Sequence, residues 1–344
     1  MVRKKNFAGI DYFRFAAAFM VIAIHTAPFE RINGTLDFLV TYCLCRVAVP
    51  FFFMTTGYFV LAPYLMSGFR KTYAARRFLL KNTLLYLAVS FFYLPVMIYS
   101  GRLPQNIPAF FKDLFFDGTF YHLWYFPAVL TGCLLLMLLV RLSVTTATVL
   151  SFAAYLVGLF GDSYYGLIKE VPVLSSLYDG IFQISSHTRN GIFFAPVFIL
   201  LGAVTAAYRI RIPKNICGWG LSVSLLLLLG EGYLTYRFDL QKHNSMYFFL
   251  LPALFFLFQL LLTVKGQAPG WIRNSSMLLY LIHPAVLVVW RGFAKAVKQT
   301  ELLVDNTIIK YLAVCTLSLA AVYLIQFLKG ELTVCTKKDA HGSS

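Results

Sequence analysis

Charge is scarce in this sequence: Asp, Glu, Lys and Arg make up 13% of its 344 residues, against 59% hydrophobic ones. A soluble domain of that length needs far more polar surface, so the shortage excludes a water-soluble globule. Most of the chain must face lipid or other helices. Acids are scarcer than bases, 14 against 30, which leaves a net charge of +16. Such an excess can mark a nucleic-acid binder, but basic residues also collect in the cytoplasmic loops of multispanning proteins. The mean hydropathy of +0.73 favours the second source, and no nucleic-acid partner is expected. Cysteine motifs are missing too. Cys43, Cys45, Cys133, Cys217, Cys315 and Cys335 lie in apolar spans, at a span end or in the C-terminal tail, with no CxxC pair. That pattern points to no metal site and no disulfide framework. No cleavable leader is expected either. "MVRKK" resembles an n-region, but the apolar run after it is too long and no small-residue cleavage site follows, so it reads as a signal-anchor helix. There is no internal repeat.

What is present in quantity is apolar helix. Windows of about 20 residues mark about ten spans, at 9–28, 38–64, 78–100, 121–140, 144–160, 190–208, 215–234, 246–264, 274–294 and 308–328. The linkers sort by charge. With the N-terminus inside, one side receives Arg3, Lys4, Lys5, Arg70, Lys71, Arg76, Arg77, Lys81, Arg141, Arg209 and Arg211. The other side holds most acids, including Asp37, Asp113, Asp117, Asp162, Glu170, Glu231 and Glu301. Basic bias orients membrane proteins, so both termini are expected in the cytoplasm. Two segments are more than turns. "IPAFFKDLFFDG" puts Phe110, Phe111, Leu114 and Phe115 on one face, as in an interfacial helix. "GDSYYGLIKEVPVLSSLYDGIFQISSHTR" reads as a long polar and aromatic loop, of the kind that forms lids or binding elements. The expected organisation is a transmembrane domain over 1–330 and a cytoplasmic tail over 331–344. The polar "KKDAHGSS" reads as the start of a linker.

The first span carries ionisable groups that a hydrocarbon environment penalises by a few kcal/mol. Arg14 and His25 are eleven positions apart, about three turns and ~16 Å along one helix face. Asp11 is within i,i+3 reach of Arg14. Arg46 and His25 have similar depths in spans that run in opposite directions. His122 and Trp124 in "HLWYF", and Arg189 and Asn190 in "SHTRNG", arrive at the same outer boundary. His283 in "YLIHP" lies nearer mid-membrane. Asp11 with Arg14 also reads as a structural ion pair, and boundary residues such as His122 as solvated helix ends. His25, a titratable base on an apolar helix, is the stronger functional candidate. A neutral imidazole can take the proton of an acceptor hydroxyl as it attacks an activated acyl group, while arginines hold phosphates or offset charge on the carbonyl oxygen. The same groups can bind the carboxylate of an amino acid in transit. Spacing does not choose between these.

Arg14, ten intervening residues and His25, with Asp11 before them, resemble the R-x10-H signature of the membrane acyltransferase-3 family. "GYF" at Gly57–Phe59, the basic run at Arg76 and Arg77, and "LYLIHP" at Leu279–Pro284 extend the likeness over nearly the whole chain. Within that family "GIDYFRF", "RVAVPFFFMTTGYF", "FDGTFYHLWYFPA", "GLFGDSYYG", "TRNGIFFAP" and "QKHNSMY" look like the membrane domain of VanT-type serine racemases of vancomycin-resistance clusters.

The resemblance implies an all-α, ten-helix, multi-pass protein of the bacterial cytoplasmic membrane. It implies acyl transfer from acyl-CoA, often acetyl-CoA, to a hydroxyl acceptor of the cell envelope, with His25 and Arg14 catalytic. Asp11, Arg46, His122, Trp124, Arg189, Asn190 and His283 would lie around the substrate. For the VanT-type subgroup it implies L-serine supply to a fused or associated cytoplasmic racemase. Pyridoxal phosphate would belong to that racemase and not to these residues. A membrane anchor or scaffold is a third reading. The sequence departs from the acyltransferases in one respect. "HLWYFPAVL" has Pro127 and Ala128 where those enzymes often carry a glutamate, so no carboxylate partner for His25 is visible within the helices. Such a partner would have to come from Asp37 or the long loop.

Overall fold

The computed structural model describes residues 7–339, all helix and loop, with no strand among the described residues. Arg3, Lys4 and Lys5, and the tail from position 340, lie outside them. Seven helical stretches are long and apolar enough to cross a membrane: Ala8–Thr26, Gly34–Met66, Tyr73–Tyr99, Tyr125–Leu142, Lys214–Arg237, Gly270–Ala296 and Thr307–Gly330. Three shorter apolar helices, Val144–Phe160, Ala195–Ala207 and Leu250–Thr263, occupy the remaining apolar windows. The chain is thus a multi-pass helical membrane protein, with seven stretches long enough to cross the bilayer among the described residues.

The helices fall into two compact units. The first holds the described residues up to Thr41 and from Val264 onward. Its helices are α1 (Ala8–Thr26) and α2 (Gly34–Thr41), and those that close the chain. The second unit, Tyr42–Thr263, starts with a short 3-10 turn, Leu44–Val47, that leads into α3 (Ala48–Thr56). A wide π turn, Gly57–Leu61, connects α3 to α4 (Ala62–Met66). Pro63 has no N–H to return to the preceding turn, and the ladder widens just before it. The unit continues with α5 (Tyr73–Tyr99), α6 (Ile107–Lys112), α7 (Tyr125–Leu142), α8 (Val144–Phe160) and α9 (Pro172–Ile184). It ends with α10 (Ala195–Ala207), α11 (Lys214–Arg237) and α12 (Leu250–Thr263). The first unit is completed by α13 (Gly270–Ala296) and α14 (Thr307–Asp339).

In the first unit α1 packs on α13 and α14. Small residues make this possible: Ala17 and Ala18 are fully buried, and Ala18 meets Leu279 and Val322, with Phe15, Phe19 and Ile282 around them. A second layer joins Ile22, Leu287 and Val314. Small residues let helix backbones approach closely where lipid gives no hydrophobic drive to associate. At the chain's turn after α1, Thr307 Oγ1 donates to Pro28 O at 2.8 Å, and Asp37 Oδ1 accepts from Phe29 N and Thr41 Oγ1.

In the second unit the tightest contact is α10 against α3 and the π turn. A Cβ at Gly57 would stand 1.8 Å from Ile199 O, and one at Gly202 2.0 Å from Met54 O. Gly118 is special in another way: its φ is +84° and a Cβ there would lie 2.4 Å from Trp124 N. The interfacial segment 107–117 is present as α6 and a following π turn, started by Asn106 Oδ1, which accepts from Ala109 N. Phe110, Phe111 and Phe115 are about half exposed. The segment read as a long loop, 161–189, differs from expectation because it contains α9. Pro172 opens that helix, where a missing N–H costs nothing. Positions 331–339, assigned to a tail, continue the backbone of α14.

The glycine contact makes a prediction. Gly202→Ala should destabilise the protein by about 1–3 kcal/mol, the usual cost of overpacking, because the clash is with backbone. Gly218→Ala, with open space at its Cβ, serves as the control. Thermal melting in detergent reads both. Equal melting temperatures for Gly202→Ala and Gly218→Ala would contradict the contact.

Candidate functional site

The first unit places Asp11, Arg14, His25 and His283 on α1 and α13. Asp11 and Arg14 stand 3.9 Å apart, with side chains 18% and 33% exposed. That is a loose i,i+3 pair at the limit of an ion pair, worth little by itself. His25 lies three turns further along. Its ring stacks on His283, centroids 5.3 Å apart and planes 23° apart. His283 is fully buried, and its Nδ1 is 3.0 Å from Leu279 O. A carbonyl only accepts, so Nδ1 carries the proton and Nε2 the lone pair. Pro284, the next residue in α13, has no N–H to continue the ladder. An imidazole on α13 is thus set against His25.

The second unit gathers a different set, at the loop end formed by residues 161–194 and 238–249. Its centre is Asp162, fully buried just after α8. Asp162 Oδ1 accepts from Ser163 Oγ at 3.0 Å, Ser245 N at 2.7 Å and Met246 N at 2.9 Å. Oδ2 faces His243 Nδ1 at 3.5 Å, and the same nitrogen is 2.9 Å from Ser245 Oγ. His187 packs on His243 with ring centroids 4.7 Å apart. Arg189 lies over the Trp124 ring, 5.0 Å from its centroid. Arg46 is 8% exposed, contacts the ring of Tyr42 and donates through Nη2 to Asn244 Oδ1. A second buried carboxylate, Glu231 on α11, accepts from Phe248 N, Phe249 N and Tyr164 OH. The loop before α12 is thus hung on two carboxylates, and His243 and Asn244, just before the first attachment, reach the cluster.

Of the residues expected around a substrate, the structure brings Arg46, Trp124 and Arg189 together in this cluster. Asn190 is committed to the fold: Oδ1 accepts from Ile192 N and Phe193 N, and Nδ2 donates to Ser185 Oγ and His187 O. It positions the loop that carries His187 and Arg189. His122 is 1% exposed, edge-on to Tyr93 and Phe120, so it is not a solvated helix end. Asp162, His187, His243 and Asn244 were missed as site residues, although "GLFGDSYYG", "SHTRNG" and "QKHNSMY" contain them. The usable signal was two polar loop motifs, each opening or closing an apolar span and each carrying a histidine or an acid.

Comparison with known proteins fits this membrane architecture. The family model of the acyltransferase-3 type, described as an acyltransferase domain, matches residues 7–327. An amino-acid racemase of Enterococcus faecalis is 38% identical over 99% of this chain and 48% of its own length. A second amino-acid racemase of that organism is 37% identical over 96% of this chain and 47% of its own length. A serine/alanine racemase of Enterococcus gallinarum is 36% identical over 92% of this chain and 45% of its own length. The chain spans about half the length of these curated relatives. No solved structure matches it.

The loop cluster also sets an acid limit. Burial, with Arg189 nearby, holds His187 and His243 at about 4, below their ordinary value of 6.5. Burial alone would raise the Asp162 carboxyl, but hydrogen bonding and charge from His243 and the N–H groups of Met246 and Ser245 outweigh it and lower it. The unfolded chain therefore binds more protons than the folded one between pH 4 and 6.5, and stability rises with pH across that window. Below it the Asp162 contribution is lost as well. The melting temperature should climb from pH 4.5 to pH 6.5 and level off above 7. His243→Gln should flatten the climb. Identical pH profiles for the two proteins would refute this account.

Proposed function

The chain belongs to the acyltransferase-3 family, and from that premise we propose that it is the membrane part of an amino-acid racemase system. It binds a small amino acid, L-serine first, and brings it across the bacterial cytoplasmic membrane to a cytoplasmic racemase, fused or associated. The observation that carries this reading is the near full-length similarity to racemases of which these residues make up less than half. The polar loop cluster of the second unit supports it. Arg46, Arg189 and Asn244 supply donors that suit a carboxylate, and neutral imidazoles supply acceptors that suit an ammonium group. His25 and the fully buried His283, stacked between α1 and α13, add polar groups to the apolar stretches of those helices, as a path for a polar solute needs.

A second reading is acyl transfer, favoured by the family match and by His25 on the same face as Arg14. In it, the neutral His25 imidazole accepts the proton of an acceptor hydroxyl. The oxygen attacks the thioester carbonyl of acyl-CoA, the C–S bond breaks, and the thiolate leaves and is protonated as CoA. Arg14 would stabilise negative charge on the donor.

Two measurements separate these. Proteoliposomes should show saturable uptake of labelled L-serine above empty vesicles, and no excess over empty vesicles would overturn the uptake reading. If acyl transfer is the activity, folded His25→Ala should release CoA from acetyl-CoA at least about 100-fold more slowly, the usual share of a general base. Undiminished release would remove His25 from that role.

A further inference from the structure

The loop end of the second unit holds a buried arginine, Arg46, whose hydrogen-bonding capacity the protein does not fill. Arg46 is more than nine-tenths buried, yet its Nε has no hydrogen-bond partner, and its Nη2 is held by the neutral amide of Asn244. A buried guanidinium with donors to spare is costly unless something completes it. Among the described residues, no nearby acid hydrogen-bonds to it. Asp162 Oδ1 is filled by Ser163, Ser245 and Met246, and its Oδ2 is turned to His243. Glu231 is filled by two backbone N–H groups and Tyr164. Arg189, lying on Trp124, adds a second positive charge that His243 senses together with Arg46.

His243 completes the picture. Its Nδ1 faces the Asp162 carboxylate and Ser245 Oγ, and a lone pair directed at a carboxylate would be repelled, so Nδ1 is the protonated nitrogen. Nε2 then carries the lone pair, as an acceptor. Guanidinium donors therefore stand near a neutral acceptor.

The geometry points to Arg46 and Arg189 as the recognition site for the carboxylate of a small amino acid, with Asp162 as the positioning residue that fixes His243 beside them. This rests on the amino-acid reading above and gives that reading its specificity. Ligands keep affinity through the carboxylate, and esters and alcohols of the same size are rejected because they leave Arg46 uncompensated.

The test is equilibrium binding of labelled L-serine to the full chain in detergent, with unlabelled competitors. L-Serine and L-alanine should compete, and serinol, which has a second CH₂OH in place of the carboxylate, should fail at 100-fold higher concentration. Arg46→Gln should weaken binding at least tenfold and Arg46→Lys less, while the exposed Arg211→Gln leaves it unchanged. Serinol competing as well as L-serine overturns the site, and needs no variant to show it. So does unchanged affinity in folded Arg46→Gln. Displacement by inorganic phosphate or acetyl-CoA, but not by L-alanine, would make this a phosphate site and overturn the carboxylate assignment. The two readings fail separately. Arg46-dependent binding without uptake into proteoliposomes overturns transport alone. Normal uptake and affinity in Arg46→Gln overturns the site alone.

Discussion

The carboxylate of Asp162 is the constraint on which the second unit's loop end depends. It is fully buried, and it takes two backbone N–H groups from residues more than eighty positions away together with the hydroxyl of its neighbour. A buried charge persists only when its acceptor capacity is met. Here Oδ1 takes its backbone donors from the short loop that leads into α12 while Oδ2 faces His243, so holding the charge and fixing the loop are one event. Glu231 repeats the device three positions later in the same loop, at Phe248 and Phe249. The backbone carbonyl of Asp162 also accepts from Lys242 N and His243 N, so His243 and Asn244 are held on both sides and Arg46 finds its amide partner.

The first unit solves a different problem. Its polar groups lie on helices, where no loop can be folded around them, so small residues bring the helices close and stacking supplies the partner. Ala17 and Ala18 let α1 approach α13 and α14, and His25 then meets His283 ring to ring. The proton on His283 Nδ1 is set by Leu279 O in its own helix. The orientation of His283 thus comes from the backbone one turn back in its own helix.

Much of the fold was legible because its signal is local. Long apolar runs define spans by composition, and each of the ten windows contains an apolar helix. Helix α9 was not legible in the same way. Leu174, Leu177, Tyr178, Ile181 and Phe182 do recur at helical spacing, but Ser175-Ser176 and Asp179-Gly180 are turn-like pairs, and the proline at its start reads as a loop breaker as readily as a first-turn residue. Arg14 and His25 stood out through spacing on one helix. Asp162 and His243 did not, since they lie about eighty positions apart and meet only because two hairpin-like loops share one end of a bundle. Asn190 misled for a related reason: a polar residue beside an arginine looks like a ligand group, and only its four hydrogen bonds show that the loop consumes it.

That contrast between Asn190 and Arg46 carries the functional argument furthest. Both are buried polar residues at the start of apolar segments, and both look alike in sequence. Asn190 has every donor and acceptor engaged by the protein, so folding accounts for it completely. Arg46 does not: its Nε is buried without a partner, and the amide that meets Nη2 brings no negative charge. Stability alone would favour replacing such a group by a hydrophobic one. A chain that retains it, and spends two buried carboxylates holding the loop against it, places its unmet polar capacity where a ligand can meet it.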